Sequence, residues 1–269
     1  MPRGAAASGR LDPASGWLRG RLLLVLLGIA LGAGSAVGAP ATLTVFAAAD
    51  LAFAFRELIP RFERASGGRV TLVLGSTGNL ARQIEHGAPA DVFFAAEQEV
   101  VERLTARGAL VGESRALYAQ GRIVLATSRQ VGPKLTTLRA LLDPEVRHVA
   151  IANPSHAPYG RAAEEALRTA GVWEMLKPKL VYAGNVRHAL QFIQTGAAEA
   201  GIVARSIANV PEIDWVPIDA SLHAPLNQVV AVVRGSARAE LGLALIRFVT
   251  GPEGRWIMAR YGFVLPGDR

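Results

Sequence analysis

Four short turns of polar or small residues each stand between a predicted strand and a predicted helix. They are Ala48-Ala49-Asp50, Gly75-Ser76-Thr77-Gly78-Asn79, Asn153–Gly160 and Gly184-Asn185-Val186. A helix start offers backbone N–H groups without intrahelical partners, together with the positive end of the helix dipole. Four such starts that faced one cleft would make an anion site containing no lysine or arginine.

The turn at Gly75–Asn79 has the composition best suited to an anion. Its two glycines allow the backbone to approach a ligand closely, and Ser76 and Thr77 add hydroxyl donors. Any one turn is weak evidence, because every α/β protein has helix N-caps. The recurrence of the pattern is what favours a binding site.

Sequence signatures of catalysis are missing. The chain has no cysteine, which excludes a thiolate nucleophile, a thiolate metal site and a disulfide scaffold. The G-x-S-x-G elbow, the H-E-x-x-H zinc motif and the G-x-x-x-x-G-K-[ST] phosphate loop are absent as well. Asp219, Ser221 and His223 alternate within a polar loop, but a triad needs convergence in space, so a solvated connection is favoured.

Strands and helices alternate along the chain after residue 41. The predicted strands are 42–47, 69–74, 92–96, 122–127, 148–152, 180–183, 200–204 and 228–233. The predicted helices are 51–66, 80–86, 97–107, 161–170, 186–195, 240–250 and 252–261. A break at 118–121 and a polar, proline-containing stretch at 211–225 interrupt the alternation. This βαβ rhythm is typical of mostly parallel sheets with helices on both faces, and the length suits two lobes.

The N-terminal segment has the three parts of a secretory signal peptide. Four arginines precede residue 22, an apolar run follows at Leu22–Ala33, and small residues occupy Gly34–Ala41. The apolar run is too short to cross a bilayer. We therefore expect residues 1–41 to be a signal peptide that is cleaved between about residues 36 and 41.

Charge and hydropathy exclude two further classes of protein. The net charge of +7 includes the N-terminal arginines, and no Lys/Arg cluster marks a nucleic-acid surface. The mean hydropathy of +0.27 is inflated by the N-terminal segment. Because no other apolar run reaches eighteen residues, the mature chain is expected to stay out of the membrane.

Four segments carry a family resemblance. They are Val45–Leu51 (VFAAADL), Leu80–Ala96 (LARQIEHGAPADVFFAA), Asn153–Gly160 (NPSHAPYG) and Arg260–Val264 (RYGFV), in the family's order. Residues 42–269 thereby resemble the periplasmic molybdate-binding proteins of ABC importers. The resemblance implies a type II periplasmic binding protein fold, in which two α/β lobes of mostly parallel sheet and flanking helices enclose a ligand cleft. Lobe one would comprise residues 42–120 and 227–269, and lobe two residues 121–226.

The resemblance also implies a ligand and a set of contacts. Hydroxyls and backbone N–H groups would bind molybdate or tungstate at Ala49, Asp50, Ser76, Thr77, Tyr159 and Val186. Tyr159 and Val186 would act through the main chain, so their side chains need not be polar. Ala204 stands where some members have a ligand-binding tyrosine. No cofactor is implied, and molybdenum would be bound only as the oxyanion. A monomer in the periplasm would deliver it to a membrane permease, with no nucleic-acid partner.

Asp50 departs from the family pattern, in which a hydroxyl or amide residue is common. The favoured interpretation is an N-cap whose side chain turns away from the ligand. The alternative is that Asp50 accepts a proton from a protonated oxyanion such as phosphate or a phosphonate. A cleft enzyme on the same fold and a regulatory effector domain are further alternatives. Missing catalytic motifs disfavour the enzyme, and the signal peptide disfavours the effector.

Overall fold

The computed structural model describes residues 41–267, and regular secondary structure covers most of this range. The strands of the described residues are β1 Thr42–Ala48, β2 Arg69–Gly75, β3 Val92–Ala95, β4 Ala116–Gly121, β5 Ile123–Ser128, β6 Val149–Ala152, β7 Leu180–Ala183, β8 Ala200–Ala204, β9 Ile213–Pro217 and β10 Leu226–Val232. The α-helices are α1 Ala52–Ser66, α2 Thr77–Glu85, α3 Gln98–Ala106, α4 Pro158–Thr169, α5 Trp173–Leu176, α6 Val186–Gln194, α7 Ala239–Thr250 and α8 Pro252–Arg260.

The strands form two sheets of the same design. The first sheet has the order β2-β1-β3-β10-β4, and the second has the order β7-β6-β8-β5-β9. In the first sheet β1 runs parallel to both neighbours, while β10 runs antiparallel to β3 and β4. In the second sheet β6 runs parallel to β7 and β8, while β5 runs antiparallel to β8 and β9. The predicted two-lobed α/β fold is confirmed, with mixed rather than mostly parallel sheets.

The predicted strands and helices are all present, with bounds that differ by up to three residues. The sequence prediction missed β4, β9 and the short helix α5. β4 occupies the segment predicted as a break, and β9 lies within the stretch predicted as a polar connection. Both are edge strands of their sheets. An edge strand buries few side chains and tolerates proline, so its sequence resembles a loop.

Helices cover both faces of the first sheet because their apolar residues recur at helical spacing. Phe55 of α1 packs edge-on against Phe94 of β3, with ring centroids 4.9 Å apart. On the opposite face, Leu80 of α2 and Phe93 of β3 share a second buried cluster. Helix α1 ends at Gly67, whose φ of 71° is a left-handed conformation that glycine adopts without strain.

The chain passes between the sheets at two places. The strands of the first sheet use residues up to Gly121 and resume at Leu226, and those of the second sheet lie between Ile123 and Pro217. The division into residues 42–120 with 227–269 and residues 121–226 remains a prediction. Helices α1, α2, α4 and α6 each follow the carboxyl end of a parallel strand, which is where open α/β sheets place their ligands.

The described residues include no helix long and apolar enough to span a bilayer. The predicted signal peptide lies outside them, apart from Ala41.

Candidate functional site

One small cavity is lined by all the residues predicted for an anion site: Ala49, Asp50, Ser76, Thr77, Tyr159 and Val186. Its remaining lining residues are small or neutral: Ala48, Gly75, Ala96, Ala157, Pro158 and Asn185. The cavity measures about 10 Å³.

Three helices begin at this cavity. Helix α2 starts after Ser76, α4 after Ala157 and α6 after Asn185. The Asn185 side chain accepts hydrogen bonds from the N–H groups of Arg187 and His188, 3.0 and 3.1 Å away. Tyr159 and Val186 lie in the first turns, where N–H groups have no intrahelical partner. The second sheet therefore places the starts of two helices at the cavity.

The first sheet supplies two hydroxyl groups. Thr77 Oγ1 accepts a hydrogen bond from the Ala96 N–H at 3.0 Å, so the hydroxyl proton remains available as a donor. Ser76 Oγ lies 2.9 Å from Nδ1 of His156. Burial, assisted by the charges of Arg82 and Arg161, lowers the pKa of His156 below its ordinary value. The ring is thus neutral at pH 7, and the tautomer with hydrogen on Nδ1 leaves the Ser76 proton free for a ligand.

Hydrogen bonds hold the two walls of the cavity together. The Gly78 N–H donates to the carbonyl oxygen of His156 at 2.9 Å, and Ser206 Oγ donates to the carbonyl oxygen of Asp50 at 2.8 Å. A Cβ atom at Gly78 would lie 2.7 Å from that His156 oxygen, closer than real Cβ contacts allow. Glycine is therefore required for this close approach.

Asp50 lies at the centre of a buried polar network that joins the two sheets. Its Oδ2 accepts hydrogen bonds from Tyr159 Oη at 2.9 Å and from Gln228 Nε2 at 2.8 Å. Tyr118 Oη in turn donates to Gln228 Oε1 at 2.8 Å. Burial raises the pKa of Asp50 to about 6, against the lowering effect of the Tyr159 and Gln228 hydrogen bonds. Its Oδ1 is buried and has no hydrogen-bond partner among residues 41–267.

The predicted capping role of Asp50 is wrong. Residues Ala49–Leu51 form a 3-10 turn capped by Ala48 without any side-chain bond, and α1 begins only at Ala52. The carboxylate binds other side chains because Tyr159 and Gln228 reach it from distant parts of the chain. Tyr159 was expected to act only through its main chain, but its side-chain hydroxyl also donates a hydrogen bond to Asp50.

Sequence reasoning missed the partners of Asp50, although one signal was available. Gln228 is fully buried in a mostly apolar strand, and a polar residue at such a position needs a partner. The earlier candidate group Asp219, Ser221 and His223 forms no triad. Asp219 accepts from the Ser221 N–H, and His223 Nδ1 bonds the Ala224 oxygen.

A second, larger cavity of about 630 Å³ is rich in arginine. Arg56 stacks over the Phe53 ring at 5.4 Å, and Arg205 stacks over the Trp215 ring at 5.0 Å. A third arginine, Arg260, lies over two aromatic rings and pairs with Glu57. None of these residues was predicted as a site. Within residues 41–267 no group of three or more His, Asp or Glu side chains could hold a metal ion.

Comparison with known proteins gives consistent results. The model of the bacterial extracellular solute-binding protein family matches residues 43–264. The molybdate-binding protein ModA of Azotobacter vinelandii is 33% identical over 245 residues, which cover 88% of this chain and 96% of that protein. ModA of Escherichia coli (strain K12) is 34% identical over 243 residues, covering 87% and 93%.

Solved structures agree with the sequence comparison. The periplasmic molybdate-binding protein of Azotobacter vinelandii superposes with a TM-score of 0.77 at 30% identity, covering 83% of this chain and 99% of that one. The sulfate-binding protein SubI of Mycobacterium tuberculosis H37Rv gives a TM-score of 0.69 at 16% identity, covering 84% and 88%. The latter likeness shows the fold alone.

Proposed function

The chain belongs to the bacterial extracellular solute-binding protein family, and on this basis we propose that it captures molybdate for an ABC importer. Tungstate, which has the same charge and shape, is a second ligand of the same site. The relatives from Azotobacter vinelandii and Escherichia coli, which match most of the chain, are named as molybdate-binding proteins, not as enzymes. The observation that carries the proposal is one cavity lined by two hydroxyl residues and by first-turn residues of helices from both sheets.

The proposed contacts need no cation in the protein. Ser76 and Thr77 donate through their hydroxyls, and Tyr159 and Val186 donate through backbone N–H groups. Backbone N–H groups at Ala49 and Asp50 complete the set. Each hydrogen bond to a charged group contributes about 1.5–3 kcal/mol. All donors bind oxygen, so molybdenum has no direct bond to the protein and no cofactor takes part.

Selection between oxyanions follows from the fixed positions of these donors. Helix starts cannot shift independently, because each is part of a packed helix. Donors spaced for the larger molybdate tetrahedron would leave bonds unmade around the smaller sulfate ion. Size, rather than charge, is then the property that the site discriminates.

The proposed pathway begins with export. Residues 1–41 direct the chain out of the cytoplasm and are removed between about residues 36 and 41. The mature protein then works as a periplasmic monomer that docks on the membrane permease. N-terminal sequencing of the exported protein should give a start between Val37 and Thr42, whereas an intact Met1 chain in the membrane would contradict this step.

A second candidate ligand is supported by one observation. Asp50 lines the cavity, and its Oδ1 is buried without a partner. An ionised Oδ1 could accept the proton of a hydrogen phosphate or a phosphonate, which molybdate lacks at neutral pH. This candidate predicts that phosphate binds more tightly than molybdate.

Calorimetric titration of the processed protein at pH 7.5 separates the two candidates. We expect one site that binds molybdate and tungstate, with sulfate and phosphate weaker by about a hundredfold, equivalent to one or two lost charged hydrogen bonds. Tight phosphate binding with weak molybdate binding would reverse the assignment. A heat signal that requires more than one anion per chain would contradict a single site.

A further inference from the structure

The two carboxyl oxygens of Asp50 have different surroundings. Oδ2 accepts two hydrogen bonds, from Tyr159 and from Gln228. Oδ1 is buried and accepts none among the described residues. A carboxylate carries charge on both oxygens, so an ionised Asp50 would leave one charged oxygen without a donor in a place that water does not reach.

The proposed ligand aggravates this imbalance. Asp50 lines the same cavity as Ser76, Thr77, Tyr159 and Val186. A dianion bound there would place two negative groups side by side in a poorly hydrated space, and like charges in such surroundings repel strongly. One added proton removes the repulsion and also provides a donor at the unpartnered oxygen.

We propose that Asp50 binds the oxyanion as a neutral carboxylic acid. Oδ2 keeps its hydrogen bonds from Tyr159 and Gln228, and Oδ1 carries a proton that it donates to one ligand oxygen. Capture of one dianion then takes up one proton from solvent, and release returns it. No covalent bond to the ligand forms or breaks. This inference rests on the proposed function, because it requires a ligand that brings no proton of its own.

The surroundings of Asp50 favour the acid form. The tyrosines in its network stay neutral, since burial and the Asp50 charge raise the pKa values of Tyr118 and Tyr159 well above the ordinary value. Burial, opposed by the hydrogen bonds that the carboxylate accepts, brings the pKa of Asp50 to about 6, and a bound dianion raises it further.

Charged residues on the elements packed against Asp50 do not neutralise it. The packed elements are α1, α6 and the turn at Arg205–Ile207, with α4 contributing Tyr159. Their charged or titratable residues include Arg56 and Glu57 on α1, Arg161 on α4, Arg187 and His188 on α6, and Arg205 on the turn. All are at least partly exposed, and no ion pair joins any of them to Asp50 within residues 41–267.

The proton linkage has a definite sign. Above pH 6 the free protein has lost the Asp50 proton, whereas the complex retains it. The complex therefore holds one proton more than the free components, and raising the pH weakens binding by up to tenfold per pH unit. His156 is the titratable group that bonds Ser76 Oγ. Its lowered pKa keeps it neutral above pH 7, so that window isolates Asp50.

The matched variant is Asp50→Asn, which imitates the acid form. The asparagine oxygen accepts from Tyr159 and Gln228, and its NH₂ group replaces the proton on Oδ1. We expect molybdate to bind this variant with an affinity that does not change between pH 7 and 8.5. His156→Gln is the second variant, and it should retain the proton uptake of the wild type.

The experiment is calorimetric titration with molybdate at several pH values between 7 and 8.5, in pairs of buffers with different ionisation enthalpies. The wild type should take up close to one proton per molybdate and lose affinity as the pH rises, and Asp50→Asn should do neither. Tight molybdate binding with no proton uptake by the wild type would overturn the inference and leave the proposed function intact. Failure of the folded wild type to bind molybdate at any pH would instead contradict the proposed function. The wild-type arm decides the matter even if Asp50→Asn fails to fold.

Discussion

The small and the large cavity described above differ in how they could attract an anion. The larger one has about 630 Å³ and three arginines, and the smaller one has about 10 Å³ and, among its lining residues, no lysine or arginine. A count of charges would place the anion in the larger cavity. Arg56 and Arg260, however, are exposed to water there, and solvent and salt screen their charge.

The small cavity relies on buried dipoles instead. Thr77 and Asp50 are fully buried, so hydrogen bonds and helix ends act there with little competition from water. Guanidinium groups on long side chains can follow anions of many shapes, whereas helix starts hold their N–H groups in place. The comparison of the two cavities indicates that selectivity for one oxyanion depends more on fixed hydrogen-bond donors in a dry site than on positive charge.

Removing the hydroxyl donors should have the largest effect. Ser76→Ala and Thr77→Ala should each weaken molybdate binding by about tenfold to a hundredfold, because each loses a hydrogen bond to a charged group. The double variant should lose about the product of the two factors. Calorimetric titration measures this, with Ser155→Ala on a neighbouring exposed turn as control. An unchanged affinity in the double variant would show that the ligand binds elsewhere in the protein.

Burial of the Asp50 charge should lower the free energy of unfolding of the ligand-free protein. Burial raises its pKa from 3.8 to about 6, so between these values the folded protein binds more protons than the unfolded chain and loses stability as the pH rises. Asp50→Asn should therefore raise the free energy of unfolding at pH 7.5 by about 2–3 kcal/mol, and by much less at pH 4.

Urea unfolding at both pH values tests this expectation. Glu240→Gln, at an exposed carboxylate, is the control and should change stability little at either pH. A wild type more stable than Asp50→Asn at pH 7.5 would show that the ionised carboxylate is well accommodated in the free protein.

Closure of the small cavity depends on the absence of a side chain at Gly78. Gly78→Ala would force its methyl group against the His156 carbonyl, 2.7 Å from the ideal Cβ position. We expect molybdate affinity to fall by about tenfold through loss of the Gly78 to His156 hydrogen bond. Gly184→Ala is the control, since its nearest neighbour would be His188 Nδ1 at 3.4 Å. Equal affinities of the two variants would exclude a closing contact at Gly78.

The arginines of the larger cavity should matter least. Arg56→Gln and Arg205→Gln should change molybdate affinity by less than about threefold, and added salt should remove that difference because it screens distant charges. Titrations at low and high ionic strength measure both effects. A hundredfold loss of molybdate affinity in either variant would show that the larger cavity takes part in binding and would contradict the distinction between the two cavities.

The sequence predicted most elements and the residues of the small cavity for one physical reason. Turns such as Gly75–Asn79 join a strand to a helix over a few residues, so local pattern and local geometry coincide. Parallel strands then bring the turns to one edge of a sheet. The choice of Tyr159 and Val186 among the turn residues came from the family resemblance.

What could not be predicted depends on contacts between distant residues. Asp50 and Tyr159 are 109 positions apart, and Asp50 and Gln228 are 178 positions apart, so no local signal pointed the carboxylate away from a cap. The larger cavity likewise joins residues as far apart as Phe53 and Tyr261. The edge strands β4 and β9 pair with sheets formed elsewhere in the chain, which their own sequences do not reveal.

A crystal structure of the processed protein grown with molybdate, with data collected at the molybdenum absorption edge, tests the central claim most directly. The anomalous signal locates molybdenum without reference to any assumption about the site. The account predicts one strong peak within the small cavity, between the hydroxyls of Ser76 and Thr77 and the backbone N–H groups of Tyr159 and Val186. A peak among Arg56, Arg205 and Arg260, with the small cavity empty, would contradict it.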